Sequence, residues 1–268
     1  MLHAYAKVNL RLEIEKKLDD GYHYLHMINS KVSLCDDISL EVSDKNIIEF
    51  SIKDLNNTKN NIVLKVLEYI QKEYNIKERL HIYIKKRIPI GAGLGGGSSD
   101  AACVLIELNK RYGLGLTMAE LEKIGLMFGA DIPYCLHNKT CYVYGKGEHI
   151  YELQIKPLTG YLICPHLFIS TKDAFENNII YGNKLSLEVA QKLVDGSINK
   201  LFKNDFLNQM LSKYPELNNI YEILNKFGNV TLSGTGPSLL FIPYESCELS
   251  TLKEQIKDCD IFDIYIKE

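Results

Sequence analysis

One stretch of the sequence combines many residues that can bind an anion. It reads Pro89-Ile90-Gly91-Ala92-Gly93-Leu94-Gly95-Gly96-Gly97-Ser98-Ser99, and we call it the glycine loop. Glycine has no Cβ, so its main-chain N–H can approach an anion closely and its φ can be positive. A helix predicted to begin at Ser98 or Ser99 adds its N-terminal amides and the positive end of its dipole. The loop therefore predicts a cradle for a di- or triphosphate; the alternative is a flexible glycine turn before a helix.

The glycine loop differs from the commonest phosphate-binding motifs. Gly91, Gly93 and Gly96 fit GxGxxG, but a dinucleotide-binding unit would need an acidic residue about 20 positions later, at the end of a strand. The nearest candidates, Glu120 and Glu122, fall in a predicted helix. The loop also lacks GK[ST], and the chain has none of the VAIK, HRD and DFG motifs of protein kinases. A different class of nucleotide-binding protein is therefore indicated.

Two further residues could take part in proton or phosphoryl transfer. Residues Val8–Ile14 alternate between apolar and polar, and extending this period backwards puts Lys7 on the polar face of a strand. Asp131 lies between Ala130 and Ile132, a small and apolar setting that could hold a carboxylate beside an acceptor hydroxyl. The alternatives are a solvated strand lysine and an aspartate that caps a helix or occupies a turn.

The elements that must position these residues follow from hydrophobic periodicity. Besides the N-terminal strand, the sequence predicts strands at 39–42, 47–52, 80–84, 140–144, 161–164, 230–232, 239–241 and 262–266. It predicts helices at 62–73, 98–112, 117–127, 186–194, 213–226 and 250–257. The mixture predicts an α+β fold, and a change near Lys156-Pro157 suggests two domains, 1–156 and 157–268.

Composition restricts the class of protein. The chain has 268 residues, of which 46% are hydrophobic and 24% charged, with a net charge of −3. These values are ordinary for a globular protein, and they do not suggest a nucleic-acid partner. The one dense basic run, Lys85–Arg87, is either a solvated strand end or a set of side chains that helps hold a phosphate.

The sequence also leads to expectations about the cellular location and the partners of the protein. The N-terminus lacks the pattern of a signal peptide, and no apolar run approaches the ~18–20 residues that span a bilayer. Seven scattered cysteines without a CxxC motif suggest a reducing compartment. We therefore expect a cytoplasmic protein without a membrane partner, whose oligomeric state the sequence leaves open.

Three motifs in a fixed order carry a family resemblance. The glycine loop matches P-x-G-x-G-L-G-S/G-S-S, and it lies between Ala6–Leu10 and Leu232–Ser238. The chain thus resembles the GHMP kinases, such as galactokinase and the homoserine and mevalonate kinases. The resemblance implies a small-molecule kinase that uses ATP and Mg²⁺. It also implies two lobes, a ribosomal-protein-S5-like N-terminal domain and a ferredoxin-like C-terminal domain, with the ligands in a cleft between them.

Two short motifs resemble one branch of that family. They are Asp20–His23 and Gly129–Pro133. This branch phosphorylates a small-molecule cytidyl-diphosphate substrate in isoprenoid precursor biosynthesis. The C-terminal motif departs slightly from its relatives, because Thr235 stands where many have Ser.

The resemblance also implies roles for individual residues. Lys7 and Asp131 would be catalytic, with Asp131 as the general base. Substrate would be held by Asn9, Tyr22, His23, Thr171 and Phe175, with Tyr22 and Phe175 flanking the cytosine ring and His23 at its edge. A core aromatic is the alternative for Phe175. The Gly234–Gly236 turn would line the cleft beside the ATP phosphates, the alternative being a strand-to-helix turn.

Some assignments stay open at this point. Lys86 and the Asn60-Asn61 pair would line the adenine pocket by family analogy, although helix capping suits Asn60 equally well. The Mg²⁺ ligands are unknown. Another GHMP kinase, or a non-catalytic nucleotide-binding regulator on the same fold, are the competing interpretations; the presence of both Lys7 and Asp131 favours an enzyme.

Overall fold

The structure, a computed structural model, describes residues 1–57, 61–176, 181–182, 184–244 and 249–266. It divides into two compact units. The first comprises Met1–Lys7, Leu34–Pro89 and Gly95–Asn138, and the second comprises Val8–Ser33, Ile90–Leu94 and Lys139–Glu268. The domain division inferred from the sequence, at residues 156 and 157, stays a prediction.

Two long strands contribute to both units. Strand β1 runs over Leu2–Lys17 and strand β2 over His23–Ser43, and they are neighbours in a sheet. The sequence predicted only residues 8–14 and 39–42 as strand. Most of β2 escaped prediction because buried polar side chains, such as Asn29 and Asp36, interrupt its apolar pattern.

The first unit contains four helices and a small group of strands. Its remaining elements are β3 (Ile47–Phe50), a 3-10 turn (Lys53–Asn57), α1 (Ile62–Glu73), β4 (Arg79–Lys85), α2 (Gly96–Arg111), α3 (Met118–Phe128) and α4 (Ile132–Cys135). Strand β4 pairs antiparallel with the end of β2 and parallel with β3. The apolar positions of α1 and β4 are buried, as their periods of 3.6 and 2 predict. Helix α2 contacts α1, α3 and α4.

The second unit contains a complete four-stranded sheet. Its elements after β2 are β5 (Cys141–Gly145), β6 (His149–Glu152), β7 (Leu158–Pro165), α5 (Thr171–Glu176), α6 (Leu187–Asp195), α7 (Ile198–Leu201), β8 (Lys203–Asn204), α8 (Leu207–Lys213), α9 (Pro215–Leu224), β9 (Gly228–Leu232), β10 (Leu239–Pro243), α10 (Leu249–Gln255) and β11 (Cys259–Ile266). Strands β11, β7, β10 and β9 lie side by side in that order, each antiparallel to the next. This order, with helices after β7 and β10, is the ferredoxin-like arrangement predicted for the C-terminal part.

Local sequence signals account for several element boundaries. The helix predicted over residues 62–73 is confirmed, and the helix predicted over 117–127 begins with a capping box formed by Thr117 and Glu120. The helical segment predicted near residues 213–226 is confirmed as α9, whereas the shorter helix α8 before it was not predicted. Pro215 has no main-chain N–H to continue α8, so α9 begins there instead.

Two global expectations can be compared with the structure. All six cysteines in its described part are free thiols, while Cys247 lies outside the described residues. Within the described ranges, none of the helices has the length and apolar character needed to cross a membrane.

The N-cap of α1 offers a test of helix stability. The Asn61 side chain accepts hydrogen bonds from the main-chain N–H of Val63 at 2.9 Å and of Leu64 at 3.2 Å. We expect Asn61→Ala to lower the free energy of unfolding by about 1 kcal/mol, because both donors lose their acceptor. Asn61→Ser, which keeps an acceptor oxygen, should lose less. Urea unfolding monitored by circular dichroism measures both; equal losses would contradict the capping role.

Candidate active site

Lys7 and Asp131 form the centre of the candidate site in the first unit. The Lys7 Nζ lies 3.4 Å from Asp131 Oδ1, with exposed side-chain fractions of 5% for Lys7 and 40% for Asp131. A mostly buried ammonium group thus lies beside a carboxylate that a ligand can reach. A carboxylate that acts as a general base must lie within hydrogen-bond distance of the proton that it accepts. The exposed Asp131 carboxylate can come that close to a group on a bound ligand.

The structure excludes the alternative for Lys7, whereas Asp131 does occupy a turn, at the N-cap position of α4. Lys7 lies on β1 with a buried side chain, so it is not a solvated strand lysine. Asp131 does precede α4, but among the described residues its side chain accepts no capping hydrogen bond. The carboxylate is therefore not used as a helix cap.

The glycine loop enters α2 directly against Lys7. Gly95 is the N-cap of α2, with φ of 64°, a conformation that L side chains rarely adopt. A Cβ on Gly95 would lie 2.8 Å from Lys7 Cγ. The helix therefore begins at Gly96, earlier than the predicted start at Ser98 or Ser99. Its 16 residues give it a full set of N-terminal amides without partners inside the helix.

The two serines of the loop differ in their surroundings. Ser99 is buried, and its hydroxyl donates a hydrogen bond of 2.6 Å to the main-chain oxygen of Tyr5 on β1. Ser98 is partly exposed. Ser99 therefore connects α2 to β1 through a hydrogen bond. Ser98 is the serine that a ligand can reach more easily.

In the second unit, the middle of the glycine loop lies against the C-terminal motif. Gly93 has φ of 74°, and a Cβ there would lie 2.4 Å from the main-chain oxygen of Ser233 and 2.9 Å from that of Gly236. The Ser233 hydroxyl donates to the Gly93 oxygen at 3.0 Å. The two glycine motifs are therefore in main-chain contact, and only glycine fits at this position.

The C-terminal motif is a tight turn between two strands. The Gly236 N–H donates to Ser233 O, and the Ser233 N–H donates to Ser238 O, both at 2.9 Å. Because β10 follows the turn, the alternative of a strand-to-helix turn is wrong.

Asn9 connects this turn to β1 and β2. Its Oδ1 accepts from the Gly234 N–H at 2.7 Å, and its Nδ2 donates to Asn29 Oδ1 at 2.6 Å. Asn9 and Asn29 are both completely buried. The contacts give Asn9 a role in holding the turn, and its expected hydrogen bond to the substrate stays a prediction.

Two of the three residues predicted to hold a cytosine ring, His23 and Phe175, form an aromatic group with Phe206 in the second unit. His23 and Phe175 are stacked with ring centroids 4.9 Å apart, and Phe175 meets Phe206 edge to face at 4.8 Å. Burial, together with the charge of Lys17, lowers the pKa of His23, which favours the neutral ring. Phe175 is partly buried and packs on the buried Phe206, so both its predicted contact with substrate and the alternative of a core aromatic stay predictions.

The other two predicted substrate residues are exposed. Tyr22 has an exposed fraction of 60%, and the Lys146 Nζ lies 5.1 Å from its ring centroid. Thr171 begins α5, and its hydroxyl lies 3.3 Å from that of Thr235. The threonine that replaces the usual serine of the C-terminal motif thus pairs with a predicted substrate residue.

Sequence reasoning missed two buried acids beside the glycine loop. Asp36 and Asp100 enclose the Lys86 ammonium, so a solvated strand end is wrong for Lys86. Their signal in the sequence was weak, since each lies inside a strand or helix and its partners are distant along the chain. Asn60 lies outside the described residues, whereas Asn61 caps α1.

Comparisons with known proteins identify the class. The family described as the GHMP kinases N terminal domain matches residues 61–139, which include the glycine loop and Asp131. Solved structures agree in fold: the mevalonate kinase of Methanococcus jannaschii has a TM-score of 0.70 at 20% identity, covering 100% of this chain and 98% of that one. The fold is that of the GHMP kinases.

More similar relatives specify the branch. The 4-diphosphocytidyl-2-C-methyl-D-erythritol kinase of Caldicellulosiruptor saccharolyticus is 33% identical, over 100% of this chain and 94% of its own. The enzyme of the same name from Clostridium perfringens strain 13 is 35% identical, over 89% and 86%. A crystal structure of 4-(cytidine 5'-diphospho)-2C-methyl-D-erythritol kinase has a TM-score of 0.83 at 24% identity, over 99% and 98%. The chain belongs to the 4-diphosphocytidyl-2-C-methyl-D-erythritol kinase family of GHMP kinases.

The contact between Gly95 and Lys7 leads to a prediction with a matched control. We expect Gly95→Ala to lower the free energy of unfolding by about 1–3 kcal/mol, because the positive φ is unfavourable for alanine. It should also weaken ATP binding, because the new methyl displaces Lys7 and the first turn of α2. Gly97→Ala should change stability by less than about 1 kcal/mol, since no described atom other than its chain neighbours and its own helix backbone lies within 4 Å of the added Cβ.

Thermal unfolding and calorimetric titration with ATP measure these two effects. If Gly95→Ala and Gly97→Ala behaved alike in both, the close approach of the loop to Lys7 would not be the reason for glycine at position 95.

Proposed function

We propose that this protein transfers the γ-phosphoryl group of ATP to the 2-hydroxyl of 4-diphosphocytidyl-2-C-methyl-D-erythritol. The products are the 2-phosphate of that substrate and ADP. The observation that carries the transfer is the Lys7–Asp131 pair at the start of α2. The family supports the choice of acceptor, because three relatives that match over 100%, 97% and 98% of this chain carry the name of this activity.

The proposed reaction is an in-line displacement. The Asp131 carboxylate accepts the proton of the substrate hydroxyl while the hydroxyl oxygen attacks the γ-phosphorus. The bond between that phosphorus and the β,γ-bridging oxygen breaks, and ADP leaves with the electron pair. The Lys7 ammonium, 3.4 Å from Asp131, is placed to stabilise negative charge that moves onto the transferred group.

The residues of the glycine loop fit a triphosphate. Gly93 and Gly95 adopt positive φ where a side chain would overlap its surroundings, so the main chain itself forms the surface of the loop. Helix α2 is long enough for its dipole and N-terminal amides to favour a phosphate. We propose that Pro89–Ser99 holds the phosphates of Mg-ATP, in which the Mg²⁺ ion neutralises phosphate charge.

The aromatic group of the second unit suits the cytosine ring of the acceptor. A pyrimidine stacks readily on aromatic faces, and neutral His23 can both donate and accept a hydrogen bond at its edge. We propose that Tyr22, His23 and Phe175 bind the base, with Asn9 and Thr171 holding the substrate. The close stacking of His23 on Phe175 implies that the rings separate, or that the base uses an outer face.

The proposal extends to the protein's setting. We place the reaction in the cytoplasm and propose neither a nucleic acid nor a membrane as partner. Residues 1–156 and 157–268 remain the proposed domains, as inferred from the sequence.

A coupled assay of ADP release tests the function. Purified protein receives Mg-ATP with the cytidyl-methylerythritol substrate, homoserine or mevalonate in parallel reactions. We expect turnover with the first substrate alone, and loss of turnover when EDTA removes the metal. Turnover of homoserine or mevalonate in its place would assign another GHMP kinase activity. ATP binding with no transfer to any acceptor would indicate a regulator.

The role of Asp131 can be tested separately from folding. We expect Asp131→Asn to slow the chemical step by about 10²–10⁴-fold, the range for removal of a general base, with nearly unchanged ATP affinity. Asp44→Asn, which removes an exposed acid of the same unit, is the control and should retain full activity. Single-turnover kinetics measure the step, and a near-normal rate for Asp131→Asn would remove it from the mechanism.

A further inference from the structure

Three charged side chains meet at the start of α2, and all are nearly completely buried. They are Asp36 on β2, Lys86 directly after β4, and Asp100, the fifth residue of α2. The Lys86 Nζ lies 2.5 Å from Asp36 Oδ2 and 2.7 Å from Asp100 Oδ2. Exposed side-chain fractions are 5% for Lys86, 0% for Asp36 and 1% for Asp100. We call these residues the buried ionic triad.

Asp36 also holds the main chain that leads into the glycine loop. Its Oδ1 accepts hydrogen bonds from the N–H of Arg87 at 2.6 Å and of Ile88 at 2.9 Å. One carboxylate therefore fixes both the Lys86 side chain and the segment between β4 and Pro89.

Lys86 lies against the main chain where α2 begins. A Cβ on Gly96 would lie 3.4 Å from Lys86 Nζ and 3.1 Å from Ile88 Cγ2. The same ammonium group binds Asp100, one turn further along the helix. The triad thus determines where the first amides of α2, those of Gly96, Gly97 and Ser98, are placed.

The charges of the triad indicate a geometric role for Lys86. Its ammonium already lies between two carboxylates, so the group as a whole does not offer an excess positive charge to a phosphate. Burial raises the pKa of Asp100 to about 7, against the opposing influence of Lys86, and Asp100 Oδ1 has no hydrogen-bond partner among the described residues. Apolar replacements of buried ion pairs are often no less stable, so stability alone is a weak explanation for keeping three such groups.

We propose that the buried ionic triad positions the glycine loop for its nucleotide. Asp36 and Lys86 fix the departure of the loop from β4, and Lys86 and Asp100 fix the start of α2. The phosphates then bind the helix amides without touching the triad, so its members are positioning residues. The inference rests on the proposed function for the identity of the nucleotide.

Asp100→Asn is the most informative variant, because it removes the charge with little change of shape. We expect the dissociation constant of AMP-PNP, a non-hydrolysable ATP analogue, to rise by about tenfold, equivalent to about 1.4 kcal/mol. The KM for ATP should rise in parallel. The kcat at saturating ATP and the KM for the acceptor should stay within about threefold, since neither depends on the triad once the nucleotide is bound.

Glu78→Gln supplies a control, because Glu78 precedes β4 and contacts the same helix, α2. Glu78 accepts hydrogen bonds from Arg111 Nε at 3.1 Å and from the Tyr112 hydroxyl at 2.8 Å, at the opposite end of α2. The Glu78→Gln variant should have a lower melting temperature and an unchanged affinity for AMP-PNP. Lys86→Met is a second triad variant and should weaken AMP-PNP binding at least as much as Asp100→Asn.

The outcomes separate positioning from simple structural support. A lower melting temperature for Asp100→Asn with unchanged AMP-PNP affinity would overturn the proposal, as would an equal loss of affinity in Glu78→Gln. If the Lys86→Met variant does not fold, the AMP-PNP affinity of Asp100→Asn alone tests the proposal. A wild-type protein that binds AMP-PNP but does not phosphorylate the cytidyl substrate would overturn the proposed acceptor only, because the affinity comparison does not involve it.

Discussion

The main chain at Gly95 passes so close to the aliphatic part of Lys7 that no side chain fits between them. This contact determines where α2 begins, and it holds the lysine that meets Asp131. Burial of the lysine stem leaves its ammonium little freedom to move away from the carboxylate. The geometry proposed for phosphoryl transfer therefore depends on a steric requirement before it depends on any charge.

Buried polar groups around the glycine loop serve this geometry in two different ways. In the first unit the groups are charged: Lys86 forms ion pairs with Asp36 and Asp100, and Asp36 also accepts a hydrogen bond from the main-chain N–H of Arg87. In the second unit the groups are uncharged: Asn9 accepts a hydrogen bond from the Gly234 N–H, and the Ser233 hydroxyl donates one to the Gly93 oxygen. Each unit thus fixes part of the glycine loop or of the C-terminal turn through buried polar side chains.

Local signals in the sequence predicted a large part of the fold. Helix α1 was predicted with its correct ends because Asn61 is an ordinary N-cap and the apolar residues repeat at helical spacing. Strand β2 was largely missed, since buried polar residues such as Asn29 and Asp36 interrupt its apolar pattern and their partners are distant along the chain. The approach of Lys7 to Asp131 could be expected only from the family resemblance, because no local pattern relates residues so far apart. Asp36 and Asp100 were missed for the same reason.

The contact between Gly93 and the carbonyl oxygens of Ser233 and Gly236 has a consequence for how this chain can evolve. Two motifs whose residues Gly93 and Ser233 are 140 positions apart in the chain share one surface, on which Gly93 has no space for an added methyl group. An insertion in either segment would therefore require a compensating change in the other. The two signatures should consequently diverge together, as a single inherited unit, while the exposed strands and helices around them drift independently.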